Sequence, residues 1–323
     1  MAIIHVTEAT VGAPNSGRMS GTDGDLVTML DYALPLNGWA IEYTSGNVRV
    51  YRPGSGNRFR LYVNDAAAVS GDARLSVVRG CENASAAAPA SIIDPFPTVA
   101  KLADGSSNWL KSTTANTTAR NFDLYVGTTW VMFFCNVTGA TNVWDLGLFG
   151  DWSPTLSGDP YCTACVVRNS TSATTVSGAT GSWGASASNV GLTSYNFARS
   201  YDGTVKSTTG GIWSPLVGVI GTGGSTQAQG GPTTGIDRCK MVSLDTGSIT
   251  TASSTSISLQ QRAYVPNLWL PLHAGRGAVN SRDTFTDTAY NASATFRIFC
   301  NSNVATAGFI VVEETDTWSP PSG

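Results

Sequence analysis

His5 and His273 are the only two imidazoles in a chain of 323 residues. Proton transfer near neutral pH falls to histidine more often than to any other side chain, so their settings matter first. His5 stands in the opening segment and His273 follows Pro271 and Leu272. Neither lies near a serine or cysteine in a Gly-x-Ser-x-Gly pattern, so no nucleophile turn is written beside them. Cys162-Thr-Ala-Cys165 is a single C-x-x-C pair. Structural zinc takes four nitrogen or sulfur ligands, usually from two such pairs, and Cys81, Cys135, Cys239 and Cys300 are scattered along the chain. Two buried positions on a strand are the expectation for Cys162 and Cys165.

Carboxylates come closer to a constellation. Asp145, Asp151 and Asp159 fall within fifteen residues, beside Trp144 and Trp152. Glycan-cleaving chemistry needs two carboxylates and often an aromatic platform. Asp151 precedes Trp-Ser-Pro and Asp159 precedes Pro160, however, and both are ordinary turn settings. Glu313 and Glu314 are adjacent, so in a strand they point to opposite faces and cannot act as a pair. No Gly-x-x-x-x-Gly-Lys-Ser/Thr loop is present, and Gly221-Thr-Gly-Gly is followed by no helical pattern. The residues read as those of a protein that is not an enzyme, with no catalytic, cofactor-binding or metal-binding set and no cofactor.

Bulk composition points the same way. Only 13% of the chain is charged, about half of the usual share, and the net charge is −3. Glycine, serine and threonine number 35, 35 and 39. No basic run exists to neutralise phosphates, which disfavours a nucleic-acid partner. No stretch reaches the eighteen apolar residues of a membrane helix, and no membrane association is expected. Residues 1–8 lack a basic segment followed by an apolar one, so the expectation is a chain made in a cytosol without a secretory leader. Most of the cysteines read as small buried hydrophobes and not as a disulfide framework.

These residues need elements to hold them. Residues 1–21 carry Gly12, Pro14, Gly17 and Gly21 and read as an extended arm. Thr22-Asp-Gly-Asp25 offers capping oxygens, and Leu26, Met29, Leu30, Ala33 and Leu34 then share a helical face that Pro35 and Gly38 end. Period-two patterning begins at Trp39. Trp39–Tyr43 and Val48–Tyr51 flank a turn, and 59–64, 75–78, 122–126, 130–134 and 144–149 continue the series. Ser/Thr/Gly-rich text fills 169–188, 221–235 and 246–258. The fold class is therefore all-β, sandwich-like or barrel-like, with one short N-terminal helix and long Ser/Thr/Gly-rich loops. Its regions are an arm and helix over 1–38, a first β region over 39–167, a Ser/Thr/Gly-rich insertion or lobe over 168–262, and C-terminal strands over 263–323 that return to the first region.

Short phrases recur. Phe59-Arg-Leu-Tyr-Val-Asn64 matches Phe296-Arg-Ile-Phe-Cys-Asn301 in form, with Met132–Asn136 a weaker relative. Trp152, Trp213 and Trp318 each precede Ser-Pro, which reads as a tryptophan anchor beside a proline edge.

Several longer phrases occur in a telling order. They are Val50-Tyr-Arg-Pro-Gly-Ser-Gly-Asn-Arg-Phe-Arg-Leu-Tyr-Val-Asn64, Asp94-Pro-Phe-Pro-Thr98, and Trp109-Leu-Lys-Ser-Thr113 with Thr118-Ala-Arg120. Leu148-Phe-Gly-Asp151, Pro266-Asn-Leu-Trp-Leu-Pro-Leu-His273, Asp283-Thr-Phe285 and Glu314-Thr-Asp-Thr-Trp318 follow. In this order the chain resembles a family of tailed-bacteriophage virion structural proteins, over most of 10–151 and 262–318. The resemblance implies a virion component assembled in the host bacterial cytoplasm and carries no catalytic residues with it. The expectation is a capsid-surface minor or decoration protein, a homotrimer with the major capsid protein as partner. The alternative is a tail or baseplate component that touches host surface glycan through Trp144, Trp152, Trp183 or Trp213. A tail-associated glycan hydrolase using Asp145 or Asp151 is a third reading.

Overall fold

The structure, a computed structural model, describes residues 3–14, 18–97, 106–155, 157–169, 173, 183–186, 189–192, 195–199, 203, 236–243, 260–271, 278–287, 291–303, 309–315 and 318–319. Strand β1 (Ile4–Thr7) is followed by helix α1 (Asp25–Ala33). Next come β2 (Ala40–Ser45), β3 (Val48–Arg52), β4 (Arg60–Asn64) and a single helical turn, α2 (Ala67–Ser70). The chain continues through β5 (Leu75–Ala84), β6 (Ile92–Phe96), β7 (Ser107–Leu110), β8 (Phe122–Val126), β9 (Trp130–Cys135) and β10 (Asp145–Asp151). Then follow β11 (Ser153–Pro154), β12 (Thr163–Val166), β13 (Arg168–Asn169), β14 (Trp183–Ser186), β15 (Asn189–Leu192) and β16 (Tyr195–Phe197). The last are β17 (Ile236–Ser243), β18 (Gln260–Pro271), β19 (Thr284–Thr286), β20 (Thr295–Cys300) and β21 (Phe309–Glu313).

Three antiparallel sheets make the fold all-β, as the patterning predicts. The first runs β1-β8-β9-β10-β12-β16, and the second β11-β18-β21-β20-β19 with β17 on β18. The third runs β13-β7-β5-β4-β3-β2 with β6 on β5, and β14 and β15 form a small hairpin. The described parts of 168–262 thus add strands to all three large sheets: β13 pairs β7, β16 pairs β12 and β17 pairs β18.

The sandwich expectation gains a third layer. β8, β9 and β10 are almost wholly buried, because their alternate side chains enter two different cores. Phe122, Leu124, Val126, Val131, Phe133 and Phe149 pack with α1 and the third sheet. Tyr125, Met132, Phe134, Leu146 and Leu148 pack with Val265, Leu268, Phe299, Ile310 and Val312 of the second sheet. A strand with two buried faces reads as a continuous apolar run, and Trp130-Val-Met-Phe-Phe-Cys135 is such a run. Close approach between the layers relies on a missing side chain at Gly147. A Cβ there would sit 2.3 Å from the Trp109 ring, whose Nε1 donates to Val166 O at 2.8 Å.

Helix α1 buries Leu26, Val27, Met29, Leu30 and Ala33, the face the spacing predicts. Its N-terminus differs from the local capping expected of Thr22 and Asp23. Gly24 occupies the cap with φ 85° and no capping side chain. Asp65, just past β4, supplies the oxygen instead: Oδ2 accepts the N–H of Leu26 at 2.7 Å and that of Val27 at 3.4 Å. Its Oδ1 accepts Ser76 Oγ at 2.7 Å and the ammonium of Lys111. The left-handed backbone at Gly24 turns the chain before a near neighbour can reach these amides, so a distant carboxylate closes the helix.

The Trp-Ser-Pro anchor holds at Trp152. The ring is buried in the second core, and Ser153–Pro154 steps out of the first sheet to become the edge of the second. The recurring strand phrases fall on β4, β9 and β20, one in each sheet.

Candidate functional site

Among the described residues, a dense set of ionisable side chains surrounds β1, the edge strand of the first sheet. β1 pairs with β8 so that His5 lies opposite Tyr125 and Val6 opposite Leu124. Val6 is buried, while His5 keeps 26% of its side chain exposed. His5 stacks on the Tyr125 ring at 4.2 Å and 12°. Its Nε2 lies 2.8 Å from Asp123 Oδ1, and its Nδ1 lies 3.4 Å from Glu314 Oε1.

Two arginines close the cluster from the second sheet. Arg282, ahead of β19, donates Nε to Asp123 Oδ2 at 2.7 Å and Nη2 to Phe122 O at 2.8 Å. It also grips Glu8 as a fork, with Nη2 at 2.6 Å from Oε2 and Nη1 on Oε1. Its guanidinium lies 4.8 Å from the Trp144 ring centre. Arg297, on β20, donates Nε to Glu314 Oε1 at 2.6 Å, and Tyr125 donates its hydroxyl to the same oxygen at 2.8 Å. Burial, with Asp123 and Glu314 beside it, pushes the Tyr125 phenol well up, so it keeps its proton. Burial also pushes the Glu8 carboxyl up, but the Arg282 hydrogen bonds and charge with a backbone hydrogen bond outweigh it and hold the group below the usual range.

This seam ties residues 5 and 8 to residues near 282, 297 and 314. With three carboxylates and two guanidinium groups, it carries one negative charge when His5 is neutral and none when His5 is protonated. Each ring nitrogen of His5 faces a carboxylate oxygen, and the described surroundings place no serine or cysteine nucleophile against either. What the arrangement can do is hold a strand in place.

Two of the other carboxylates considered for chemistry, Asp145 and Asp151, are placed apart. Asp145 and Asp151 are the two ends of β10, six residues apart on one face, a span of about 20 Å. Paired carboxylates of a glycosidase stand at most about 9.5 Å apart. Asp145 is buried, with Oδ2 3.5 Å from Arg168 Nη1. Asp151 accepts Thr163 Oγ1 at 2.5 Å and the Asn57 N–H at 2.7 Å. Burial pushes its carboxyl up, against the pull of those bonds. Asp159 makes the local turn bond to Tyr161 N at 3.0 Å and is also buried as a fork partner of Arg262, at 2.8 and 3.2 Å.

Trp144 and Trp152 are core residues, 1% and 2% exposed, so neither offers a ring face to a sugar. The side chain of Trp183, and Trp213 and His273 altogether, lie outside the described residues, as do 221–235 and 246–258 and most of 169–188. Cys162 enters the second core and Cys165 the first, because three residues of strand turn them to opposite faces. They cannot share a metal. Glu313 and Glu314 diverge as expected: Glu313 is buried and accepts Trp269 Nε1 at 3.1 Å, while Glu314 joins the seam.

Glu8, Asp123, Arg282 and Arg297 were not singled out by sequence reasoning. Asp123 had a readable signal, a single charge inside the apolar strand Phe122–Val126. Arg282 and Arg297 had none, since only the fold brings them to residue 8. No protein-family model matches the chain, and no curated protein matches it in sequence.

Proposed function

We propose that the chain is a structural component of a tailed-bacteriophage virion, a minor or decoration protein on the outer surface of the head. It acts as a homotrimer with the major capsid protein as its partner. The observation that carries this reading is where the family-like phrases fall. Phe96 lies over Gly80, Trp109 over Gly147, Lys111 on Asp65, Asp151 on Asn57 and Thr163, and Trp269 on Glu313. Those phrases encode packing within and between layers and a buried ion pair, features a load-carrying shell component needs. The scarcity of charge over the whole chain supports surfaces that meet other subunits.

Ion pairs between remote segments support it further. Glu8 and Arg282 are 274 residues apart, Glu82 and Arg199 117, and Asp159 and Arg262 103. Each closes a long loop of chain. Burial of Trp144 and Trp152 takes those two rings from the glycan-contact reading, and the spacing of Asp145 and Asp151 along β10 keeps those two from acting as a pair. Cryo-electron microscopy of intact particles containing this chain is the test. Density on the head shell, in groups of three, is the expected result; density confined to the tail would overturn the head assignment.

A further inference from the structure

We propose that Lys111 and Asp65 close into an internal covalent cross-link, an amide between Lys111 Nζ and Asp65 Cγ formed with loss of one water. The inference does not depend on the virion reading. Both side chains are fully buried, and the Lys111 Nζ lies directly on Asp65 Oδ1. A nitrogen within hydrogen-bond reach of a carboxyl oxygen stands about 3–3.5 Å from the carbon that bears it, the separation from which such a carbon is attacked. The ammonium on its carboxylate is the state before closure.

The groups around the pair are those an acyl transfer uses. Asp65 Oδ2 accepts the N–H of Leu26 at 2.7 Å and that of Val27 at 3.4 Å, both in the first turn of α1. Amides there favour negative charge, and these two point at the oxygen on which it builds when Cγ is attacked. Oδ1 accepts Ser76 Oγ at 2.7 Å, which supports it as the oxygen that leaves. Thr22 O accepts from Lys111 Nζ at 2.5 Å and fixes the amine in place. Burial pushes the Asp65 carboxyl up, against the pull of Lys111, Ser76 and Leu26, toward the neutral acid that an amine can attack.

The step balances within the pair. One proton passes from the Lys111 ammonium to Asp65 Oδ1, leaving a neutral amine beside a neutral acid, an exchange that an interior hostile to charge eases. The Nζ lone pair then forms a bond to Cγ, and the carbonyl electron pair moves onto Oδ2, where the Leu26 and Val27 N–H groups hold it. A second proton passes from Nζ to Oδ1, the Cγ–Oδ1 bond breaks, and Oδ1 departs as water. No oxidant, reductant or further reactant enters. The product keeps its carbonyl oxygen on α1 and its one remaining N–H toward Thr22 O. The link spans 46 residues and joins the chain just after β4 to the chain just after β7, both strands of the third sheet.

Mass spectrometry of the full-length protein, purified folded and then denatured, reads this directly. The wild-type chain is expected to be lighter by one water than its sequence requires, and its digest to contain one branched peptide that joins Asp65 to Lys111. Lys111→Met is expected to keep its full sequence mass and to give no branched peptide. A wild-type chain at full sequence mass, with Asp65 and Lys111 in separate linear peptides, would overturn the proposal even if the variant fails to fold, and would make the contact an ordinary buried ion pair. So would a water lost at another position, present in wild type and in Lys111→Met alike.

Discussion

The carboxylate of Asp65 caps the backbone N–H of Leu26 at 2.7 Å, across 39 residues of chain, and so fixes α1 to the third sheet. Lys111 and Asp65 are both fully buried, and Lys111 also donates to Thr22 O at 2.5 Å. A buried pair of this kind is costly to break from one side, because the remaining charge has nowhere to go. Asp65→Ala is therefore expected to destabilise the protein by about 3–5 kcal/mol. Adding Lys111→Met should recover part of that loss. Urea denaturation of the two variants checks both expectations, and a double variant no better than Asp65→Ala would refute the ion-pair explanation.

Gly147 and Trp109 make a second point of no tolerance. Any Cβ at 147 falls within 2.5 Å of three atoms of the indole, which is locked by its bond to Val166 O and buried between layers. Overpacking of this type costs about 1–3 kcal/mol. Gly147→Ala should lower the urea midpoint accordingly without changing the slope of the transition. A midpoint within error of wild type would mean that the two layers part more easily than their packing implies.

Much of the layer structure is legible in the sequence, and the charged seam is not. The helix face, the hairpin across Gly46 and Asn47, and the buried strands follow from local periodicity, which survives in any fold that uses them. The third layer is less visible, because a run such as Trp130–Cys135 announces two buried faces without saying what covers each. The seam is hidden for another reason. His5, Asp123, Arg282, Arg297 and Glu314 are brought together by the return of the C-terminal strands over the first sheet, and no local spacing encodes that. Trp144 and Trp152 show the opposite failure: aromatic residues beside aspartates suggest a sugar platform, yet burial in the second core is what their size favours.

The five cysteines among the described side chains are buried and in no disulfide. Burial pushes the thiols of Cys81 and Cys165 up to about 12, and those of Cys135 and Cys162 higher still. Thiolate is the reactive form, so at pH 8 these groups should resist alkylation in the native state and react fully in denaturant. Peptide mapping after iodoacetamide treatment checks each position. Native labelling of Cys162 or Cys165 at the rate of a free thiol would show that β12 opens readily.

Arg282 offers the sharpest test of the seam's contribution to stability. One guanidinium serves Asp123, Glu8 and the Phe122 carbonyl in three directions, a geometry that a lysine ammonium cannot reproduce. Asp123 is fully buried, so Arg282→Gln leaves a carboxylate without its main cation and should cost about 3 kcal/mol. Arg282→Lys should recover only a minor part. Glu8 is the partly exposed arm of the fork, and Glu8→Gln should cost less than about 1 kcal/mol at neutral pH. Its acid behaviour has a defined sign. The folded carboxyl is held below its usual range, so the native state binds fewer protons than the unfolded chain there. Glu8 thus contributes stability above the ordinary glutamate value of about 4.3, and that contribution is lost as pH falls through the folded value. The difference between wild type and Glu8→Gln should accordingly shrink as the buffer is taken from about pH 6 to about pH 3. Thermal melts of both proteins across that range measure it. A difference that stays level from about pH 6 to about pH 3 would mean that Glu8 gains nothing from Arg282 and that the fork is only a surface contact.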